Sequence, residues 1–220
     1  MDRGRCVRSG RFGTNEVDEL MARLPFPEKS ITGVYGSMSE FRRKNNMQAH
    51  SGTDFAPAGS NKGKTVIPAV ANGTISFVQW SNVLGWVVNQ SVYDVKKKKV
   101  AYVGYCHLAC AKHGINCKGG HDASIAIAVK AGDKISEGMA IGTIGNTGSA
   151  SSGCHLHLTI SWLERGVFGS TADKFDFVKW VKTQEAPAAK GAVKKPAAKV
   201  SATGTKAAKK TCPTCGQETK

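Results

Sequence analysis

The sequence predicts a mainly β protein built around an antiparallel sheet, and three observations support this class. Short apolar runs alternate with Gly- and Asn-containing turns, the runs are rich in β-branched and aromatic residues, and 40% of the chain is apolar, enough for one core. Runs this short, separated by turns, favour antiparallel strands over helices. They cover residues 65–70, 73–80, 85–92, 100–105, 125–129, 139–144 and 155–160.

Residues 1–30 form an N-terminal extension in this prediction. Its first part, 1–13, is rich in Arg and Gly. Thr14 and Asn15 can cap a short helix, which Pro25 and Pro27 would end. Apolar residues at helical spacing would share one face of that helix, and they are Val17, Leu20, Met21 and Leu24. Docking of this face on the main domain is the interpretation we favour over partner binding.

Residues 31–183 form the main domain, and turn chemistry marks its internal boundaries. Asn72-Gly73 is a typical two-residue hairpin turn. The four lysines 96–99 stand between two strand-like runs and are expected at an exposed hairpin tip. Residues 176–182 carry apolar side chains at the spacing of an amphipathic helix or turn. We therefore expect strands through most of the domain and a helix at its end.

Residues 184–220 are predicted to be a disordered basic tail. From 185 onward the tail has eight lysines against two glutamates and almost no large apolar side chain, so burial cannot offset the entropy of ordering it. It ends in a Cys-x-x-Cys pair, Cys212 and Cys215. Metal binding, cross-linking of chains and no role are all open for this pair, and we favour the last two.

The charge balance limits the class of partner. A net charge of +15 and a pI near 9.6 favour an acidic or polyanionic partner, either nucleic acid, lipid head groups or an anionic wall polymer. The tail lacks the interleaved aromatic residues that stack on bases, which disfavours nucleic acid. No run approaches the roughly 18 apolar residues of a membrane-spanning helix, and the basic start of the chain is not followed by a signal-like apolar run.

Three histidine-containing segments, at 50–54, 105–108 and 153–157, carry the residues suited to catalysis or metal binding. In a strand, His155 and His157 would project to the same side, since side chains alternate between faces. Such a pair suits a metal ion and a reaction partner beside it. His50 and Asp54 add a nitrogen and an oxygen, so two His and one Asp would leave a position open on Zn²⁺. An extended or looped approach suits the glycine-containing 50–57 segment better than a helix.

Further residues share the order and spacing of a known family. The pattern comprises Val34-Tyr35-Gly36, His50-x-Gly52-x-Asp54-Phe55-Ala56-Pro57, Val70-Ala71-Asn72-Gly73-Thr74-Ile75, Tyr105-x-His107-Leu108, Val129-Lys130-Ala131-Gly132-Asp133-Lys134-Ile135, Ile141-Gly142, Gly145-Asn146-Thr147-Gly148 and His155-Leu156-His157. Over about 31–180 the chain resembles the lysostaphin and LytM-type peptidoglycan endopeptidases.

The resemblance implies both a fold and a set of site residues. The fold is a β-rich, duplicated-hybrid-motif-like peptidase domain whose antiparallel sheet lines an open groove. The implied ligands of one catalytic zinc ion are His50, Asp54 and His157, and the implied catalytic pair is His107 and His155. The implied reaction is hydrolysis of peptide bonds in peptidoglycan stem or cross-bridge peptides.

The chain departs from the family pattern in two loops. The loop between Thr147 and His155 is about one residue longer, and residues 109–124 look like an insertion that would alter the groove. The insertion holds four ligand-type residues, Cys110, His113, Cys117 and His121. A second, structural zinc is one interpretation of these four, but their spacing fits no standard finger, and we favour free cysteines. Cys106 and Cys154 should face away from the neighbouring histidines by strand alternation.

We therefore expect a monomeric zinc endopeptidase that degrades bacterial cell walls. The organisation of the chain suggests a phage endolysin that stays in the host cytoplasm until another protein opens the membrane. A virion-borne lytic factor would also fit, and we favour both over a bacterial autolysin exported by another route. The basic tail would then serve solubility or attract anionic wall polymers or lipid head groups. Two alternatives stand beside this hypothesis, a non-catalytic peptidoglycan-binding or regulatory module and a basic nucleic-acid-binding protein. The latter explains the tail but not the histidines.

Overall fold

The structure is a computed structural model, and it describes residues 22–60, 64–109 and 127–184. All of them belong to one compact unit. Most of the predicted N-terminal helix lies outside the described residues, and its last part, 22–24, is described and is not helical. The four ligand-type residues of the 109–124 insertion and the basic tail with its Cys-x-x-Cys pair also lie outside the described residues. Among the described helices, none is long and apolar enough to cross a membrane.

Nine strands and two α-helices make up the described part of the domain. The strands are β1 (Ile31–Gly33), β2 (Thr53–Phe55), β3 (Val66–Pro68), β4 (Gly73–Ser81), β5 (Gly85–Asp94), β6 (Lys99–Leu108), β7 (Lys134–Ile135), β8 (Ala140–Thr143) and β9 (Leu156–Ser161). The helices are α1 (Glu40–Lys44) and α2 (Phe177–Gln184), and short 3₁₀ turns cover Glu28–Ser30, Gly166–Phe168 and Thr171–Asp173.

Seven strands form the main sheet in the order β1-β2-β9-β6-β5-β4-β7, and β3 pairs with β8 in a small second sheet. Every pairing is antiparallel. The predicted mainly β, antiparallel fold class is therefore confirmed. The order places β2, near the start of the domain, beside β9, near its end, and this neighbourhood positions the site described below.

The larger core covers one face of the main sheet. Leu156, Leu158 and Ile160 alternate along β9 and are fully buried in it together with Tyr105 of β6. The small sheet closes this core through Ile67 and Ile141, and α2 adds Phe177 and Trp180. Because the apolar positions of β9 occupy this face, its intervening residues His157 and Thr159 project to the other.

The opposite face carries a smaller cluster made by Val87, Cys106 and Val167. Gly104 lies between Asn89 and Thr159 in the strand register. A Cβ on Gly104 would lie 2.5 Å from Cγ2 of Val167 and 2.7 Å from Oγ1 of Thr159. The glycine therefore lets the Gly166–Phe168 turn lie directly against this face of the sheet.

Two turn predictions had different outcomes. Asn72-Gly73 was expected to join a hairpin, but β3 pairs with β8 while β4 pairs with β5 and β7, so that prediction is wrong. The Asn-Gly segment instead leads the chain from the small sheet into the large one. The lysine-rich turn does join the hairpin of β5 and β6, and its lysines are exposed, as predicted. The expected terminal helix is also confirmed as α2.

Candidate metal centre

The centre forms where three neighbouring strands of the main sheet lie side by side. Asp54 of β2 is directly opposite His157 of β9, which in turn is opposite Cys106 of β6. Residues opposite each other in an antiparallel pair project from the same face. The carboxylate Oδ1 of Asp54 lies 2.8 Å from Nδ1 of the His157 ring. Strand pairing therefore joins two residues that are 103 positions apart in the sequence.

His50 enters the centre from the loop that precedes β2. Two backbone hydrogen bonds hold this loop, from Gly36 N–H to the His50 carbonyl and from His50 N–H to the Ser37 carbonyl. The Nε2 atom of His50 lies 3.0 Å from Nδ1 of His157 and 3.1 Å from Oδ1 of Asp54. The approach is looped rather than helical, as the sequence indicated.

Backbone carbonyls fix the tautomers of three of the histidine rings. A carbonyl can only accept, so the ring nitrogen facing it must carry the hydrogen. His50 Nδ1 faces the Val34 carbonyl at 3.1 Å, and His107 Nδ1 faces that of Thr147 at 2.7 Å. His155 Nδ1 faces the Gly153 carbonyl at 2.7 Å. The neutral rings therefore keep a lone pair on Nε2.

Three ligand-type atoms, His50 Nε2, Asp54 Oδ1 and His157 Nδ1, satisfy one another poorly without a cation. His50 Nε2 and Asp54 Oδ1 both present lone pairs at 3.1 Å, and a single hydrogen on His157 Nδ1 can satisfy only one of them well. Two imidazole nitrogens and a carboxylate oxygen are ligands that Zn²⁺ accepts. A tetrahedral ion with bonds of about 2.0 Å needs ligand atoms about 3.3 Å apart, close to the spacing seen. His50, Asp54 and His157 therefore fit a zinc ion.

Two glycines form the backbone wall around this group. A Cβ on Gly33 would lie 2.6 Å from Oδ2 of Asp54, and one on Gly52 would lie 2.8 Å from Cε1 of His157. Contacts below 3.0 Å would force these side chains to move. Both positions must therefore be glycine for the carboxylate and the ring to keep their places.

His107 reaches the centre through a β-bulge. Between Trp86 and Val88 of β5, the partner strand β6 advances from Leu108 to Tyr105, one residue more than regular pairing allows. His107 has a φ of +64°, a left-handed conformation that is uncommon for a residue other than glycine. Its ring centroid lies 4.9 Å from that of His155 and 5.8 Å from that of His157. The bulge thus turns His107 towards the other histidines.

The bulge also corrects one expectation. Alternation was expected to turn Cys106 away from the histidines, but Cys106 pairs directly with His157 and so shares its face. The extra residue in β6 lets Cys106 and His107 lie on the same side while Leu108 returns to the larger core. Cys106 is fully buried, and burial raises the pKa of its thiol. It packs beneath the site as a small core residue.

Thr147 holds His107 in place, and the sequence did not single it out. Its carbonyl accepts from His107, its Oγ1 donates to the Leu108 carbonyl at 2.8 Å, and the same Oγ1 accepts from Trp86 N–H at 3.1 Å. The side chain is fully buried. These bonds tie the carbonyl that fixes the His107 tautomer to both strands of the bulge.

His155 stands at the open side of the centre. It precedes β9 and forms an isolated bridge with Gly145. Its Nε2 lies 3.6 Å from Oδ1 of Asp54. Its side chain is 18% exposed, whereas those of His50 and His157 are 4% and 6% exposed. His155 is therefore more accessible to solvent than His50 and His157 while it faces the ligand group.

Burial and hydrogen bonding set the charges of the group. Burial alone would raise the pKa of Asp54, but the His157 and His50 rings beside its carboxylate outweigh burial and hold that pKa far below its usual range. Burial, together with the neighbouring His157 and His155, lowers the pKa of His107 to about 3. Burial also lowers the pKa of His157. The site therefore combines the carboxylate of Asp54 with neutral rings at His107 and His157, and metal ligation requires such deprotonated ligands.

The structure brings together all five sequence-predicted site residues of the described chain. They are His50, Asp54, His107, His155 and His157. The sequence interpretation gave no role to Gly33, Gly52 or Thr147. Glycines beside a histidine and a carboxylate are nevertheless a usable signal of close backbone approach. The carbonyls of Val34 and Gly153 carry no side-chain signal at all.

A protein-family model and several solved structures match this chain. The model of a protein family described as peptidase family M23 matches residues 48–168, which include all five residues. Among solved structures, a zinc-containing peptidase from Vibrio cholerae is 21% identical, with 76% of this chain and 40% of that chain covered and a TM-score of 0.47. The structure of LytU is 26% identical, with coverages of 69% and 83% and a TM-score of 0.46.

A complex of SpoIIIAH and SpoIIQ also matches, with 18% identity, coverages of 72% and 99%, and a TM-score of 0.48. The chain spans less than half of the Vibrio cholerae chain that it matches.

Proposed function

The chain belongs to peptidase family M23, and from this premise we propose that it is a zinc-dependent endopeptidase that hydrolyses peptide bonds in bacterial peptidoglycan. One observation carries the proposal. Three ligand atoms from His50, Asp54 and His157 converge within 3.1 Å of one another, and two further histidines face them. A binding module has no need for histidines whose Nε2 lone pairs are left open towards a metal site.

The ligand group would hold the ion, and the ion would supply a Lewis acid that polarises a peptide carbonyl and makes water acidic. His50 is set for this by its bond to the Val34 carbonyl, which leaves Nε2 as the ligand atom. Asp54 adds a negative charge, and His157 adds Nδ1. Three protein ligands leave room for water and substrate.

His107 and His155 would divide the proton transfers. The Thr147 carbonyl holds the hydrogen of His107 on Nδ1, so its Nε2 lone pair can accept the proton of the attacking water. His155 borders the open side of the centre, and in its doubly protonated form its Nε2 would donate a hydrogen bond to the developing oxyanion. As the water oxygen bonds to the carbonyl carbon and the carbon–nitrogen bond breaks, the proton passes to the leaving amine. Both roles require the Nδ1–H group of each ring to stay bonded to the Thr147 or Gly153 carbonyl, so that Nε2 is the atom that takes part.

The resemblance to lysostaphin and LytM-type enzymes supports peptidoglycan stem or cross-bridge peptides as the substrate. We propose cell lysis as the biological outcome and a phage endolysin as its setting. Production of the chain inside bacteria, with and without a membrane-permeabilising protein, tests this setting. Lysis only when both are present would support it, and lysis by the chain alone would contradict it.

Purified walls test the enzymatic proposal. We expect turbidity loss with the full chain, no loss after chelation, and recovery with zinc, while mass spectrometry of the fragments identifies the bond. An Asp54→Asn variant removes a ligand charge with little change in shape and should be inactive. Normal folding with one bound zinc but no cleavage of walls of several cross-link types would overturn the proposal in favour of a binding module.

A further inference from the structure

A cavity lies at the end of β9 opposite to the histidines of the metal centre. It has a volume of about 720 Å³ and lies between the β5–β6 turn and α2. Trp162, which follows β9 directly, is five residues beyond His157, so it lies roughly 17 Å along the strand at 3.3 Å per residue. The cavity is therefore separate from the metal centre.

Aromatic side chains form the floor of this cavity, and lysines form its rim. The floor comprises Trp162, Phe175 and Trp180. Lys96 and Lys97 rise from the turn on one side, and Lys179 and Lys182 rise from α2 on the other. All four lysines are exposed.

The positive charge of the rim is only partly balanced by described residues. Lys179 pairs with Asp176 at 3.6 Å and Lys182 with Glu28 at 3.4 Å. Lys96 and Lys97 form no ion pair with any other residue that the structure describes. The carboxylate of Asp94 lies in the same cavity, but it accepts from Trp180 Nε1 and Lys97 N–H and is 2% exposed. The rim thus presents an excess of positive charge to a ligand.

The aromatic floor is not arranged for base stacking. Phe175 stacks on Trp162 with centroids 4.5 Å apart, and the ammonium of Lys99 lies 3.7 Å from the Trp162 centroid. A ring and an ammonium at these distances must occupy opposite faces. Trp180 is buried, and its N–H is used by Asp94. Nucleic-acid bases need an open aromatic face, so the floor instead offers ring edges to aliphatic C–H groups.

We propose that this cavity binds an anionic wall polymer made of polyol or sugar units joined by phosphodiesters. The polyol carbons would lie against the aromatic edges while phosphates contact the lysine rim. The choice of a wall polymer rests on the proposed function, since that substrate lies in the same wall. Such a site would keep the enzyme on the wall while the metal centre, at the other end of the sheet, acts on peptides.

Binding of the full chain to purified poly(glycerol phosphate) wall teichoic acid tests this, with no need for hydrolysis. A Lys96→Gln/Lys97→Gln variant should raise Kd about tenfold, from the attraction that each lysine has for an anionic surface. The matched control is Lys130→Gln/Lys134→Gln, which removes two exposed charges elsewhere in the domain and should change Kd less than twofold, about the scale of an exposed charge.

Tryptophan fluorescence shows where the polymer binds. The polymer should change the emission of the full chain, and Trp162→Phe should reduce that change while binding persists. Equal weakening by both lysine pairs, or saturation without a change in emission, would overturn the proposal. Tighter binding to duplex DNA or to phosphatidylglycerol vesicles than to the polymer would overturn it as well. Because binding is measured directly, an inactive enzyme that binds the polymer would contradict only the proposed function.

Discussion

Two carboxylates at opposite ends of the main sheet meet very different partners. Asp94, at the end of β5, accepts from the indole N–H of Trp180 at 2.8 Å and from the backbone N–H of Lys97 at 2.6 Å. Asp54, in β2, lies against imidazole nitrogens of His50 and His157. The partners of Asp94 are N–H groups that can only donate a hydrogen bond. The partners of Asp54 are imidazole nitrogens, which can donate or accept according to the tautomer.

The difference separates a structural carboxylate from a candidate metal ligand. Permanent N–H donors satisfy Asp94 without any further group. The hydrogen of His50 is committed to the Val34 carbonyl, so its remaining lone pair adds to the need of Asp54 for a cation. Asp94 is the more deeply buried of the two carboxylates, so burial does not mark the candidate ligand. The tautomer that the Val34 carbonyl imposes on His50 does mark it.

Replacement of Asp54 by asparagine should have the largest effect on zinc content and hydrolysis. We expect Asp54→Asn to lose bound zinc and all measurable hydrolysis, because the only negative ligand is removed. Zinc content by mass spectrometry and cleavage of walls measure both effects. Zinc-dependent cleavage by the Asp54→Asn variant at the rate of the unsubstituted protein would contradict the distinction between the two carboxylates.

His107→Gln sharpens the same comparison within the metal centre. The variant should keep its zinc and lose about 10²- to 10⁴-fold in kcat, the usual contribution of a positioned proton acceptor. Zinc content and steady-state kinetics on a soluble cross-bridge peptide separate the two effects. If zinc were lost in parallel with activity, His107 would belong with the ligands and not with the proton transfers.

Thr147→Val tests whether a remote carbonyl sets the tautomer. Valine keeps the shape but loses both hydrogen bonds of Oγ1, so the carbonyl that accepts from His107 is no longer fixed. We expect kcat to fall about 10- to 100-fold, as for other groups that orient site histidines, and Thr147→Ser to recover most of it. Imidazole nitrogen chemical shifts should show a mixture of His107 tautomers in the valine variant alone.

Asp94→Asn should have the smallest effect on activity and a clear effect on stability. Its amide group would face an N–H donor, leaving Trp180 or Lys97 unsatisfied in a buried place. We expect the free energy of unfolding to fall by about 1–3 kcal/mol. Chemical denaturation measures this, while zinc content and kcat of the folded fraction should match those of the full chain.

Local patterns predicted the strands well but not their neighbours. Alternation along 155–160 indicated both the core face and the site face of β9, and short apolar runs located β4, β5 and β6 to within a few residues. Asn72-Gly73 misled because a turn signal reports local geometry and says nothing about which strand pairs next. Pairing of β2 with β9 depends on contacts between residues over 100 positions apart, and no local pattern reports such contacts.

The site was predictable from its side chains and not from its backbone. Ligand-type residues at His50, Asp54 and His157 stand out in the sequence because their chemistry is unusual. The bulge at His107 left no such trace, since a φ of +64° is set by the strands around it and not by the histidine itself. The same gap produced the wrong expectation for Cys106.

The distance along the chain between the ligands also determines when the centre can exist. His50 and His157 are 107 residues apart, and β2 has no place in the sheet until β9 has been made. At about 5–20 residues per second, a ribosome needs roughly 5–20 s to add that stretch. Until residue 157 has been added, therefore, the growing polypeptide holds an incomplete set of ligand-type residues, and the centre can form only after that point.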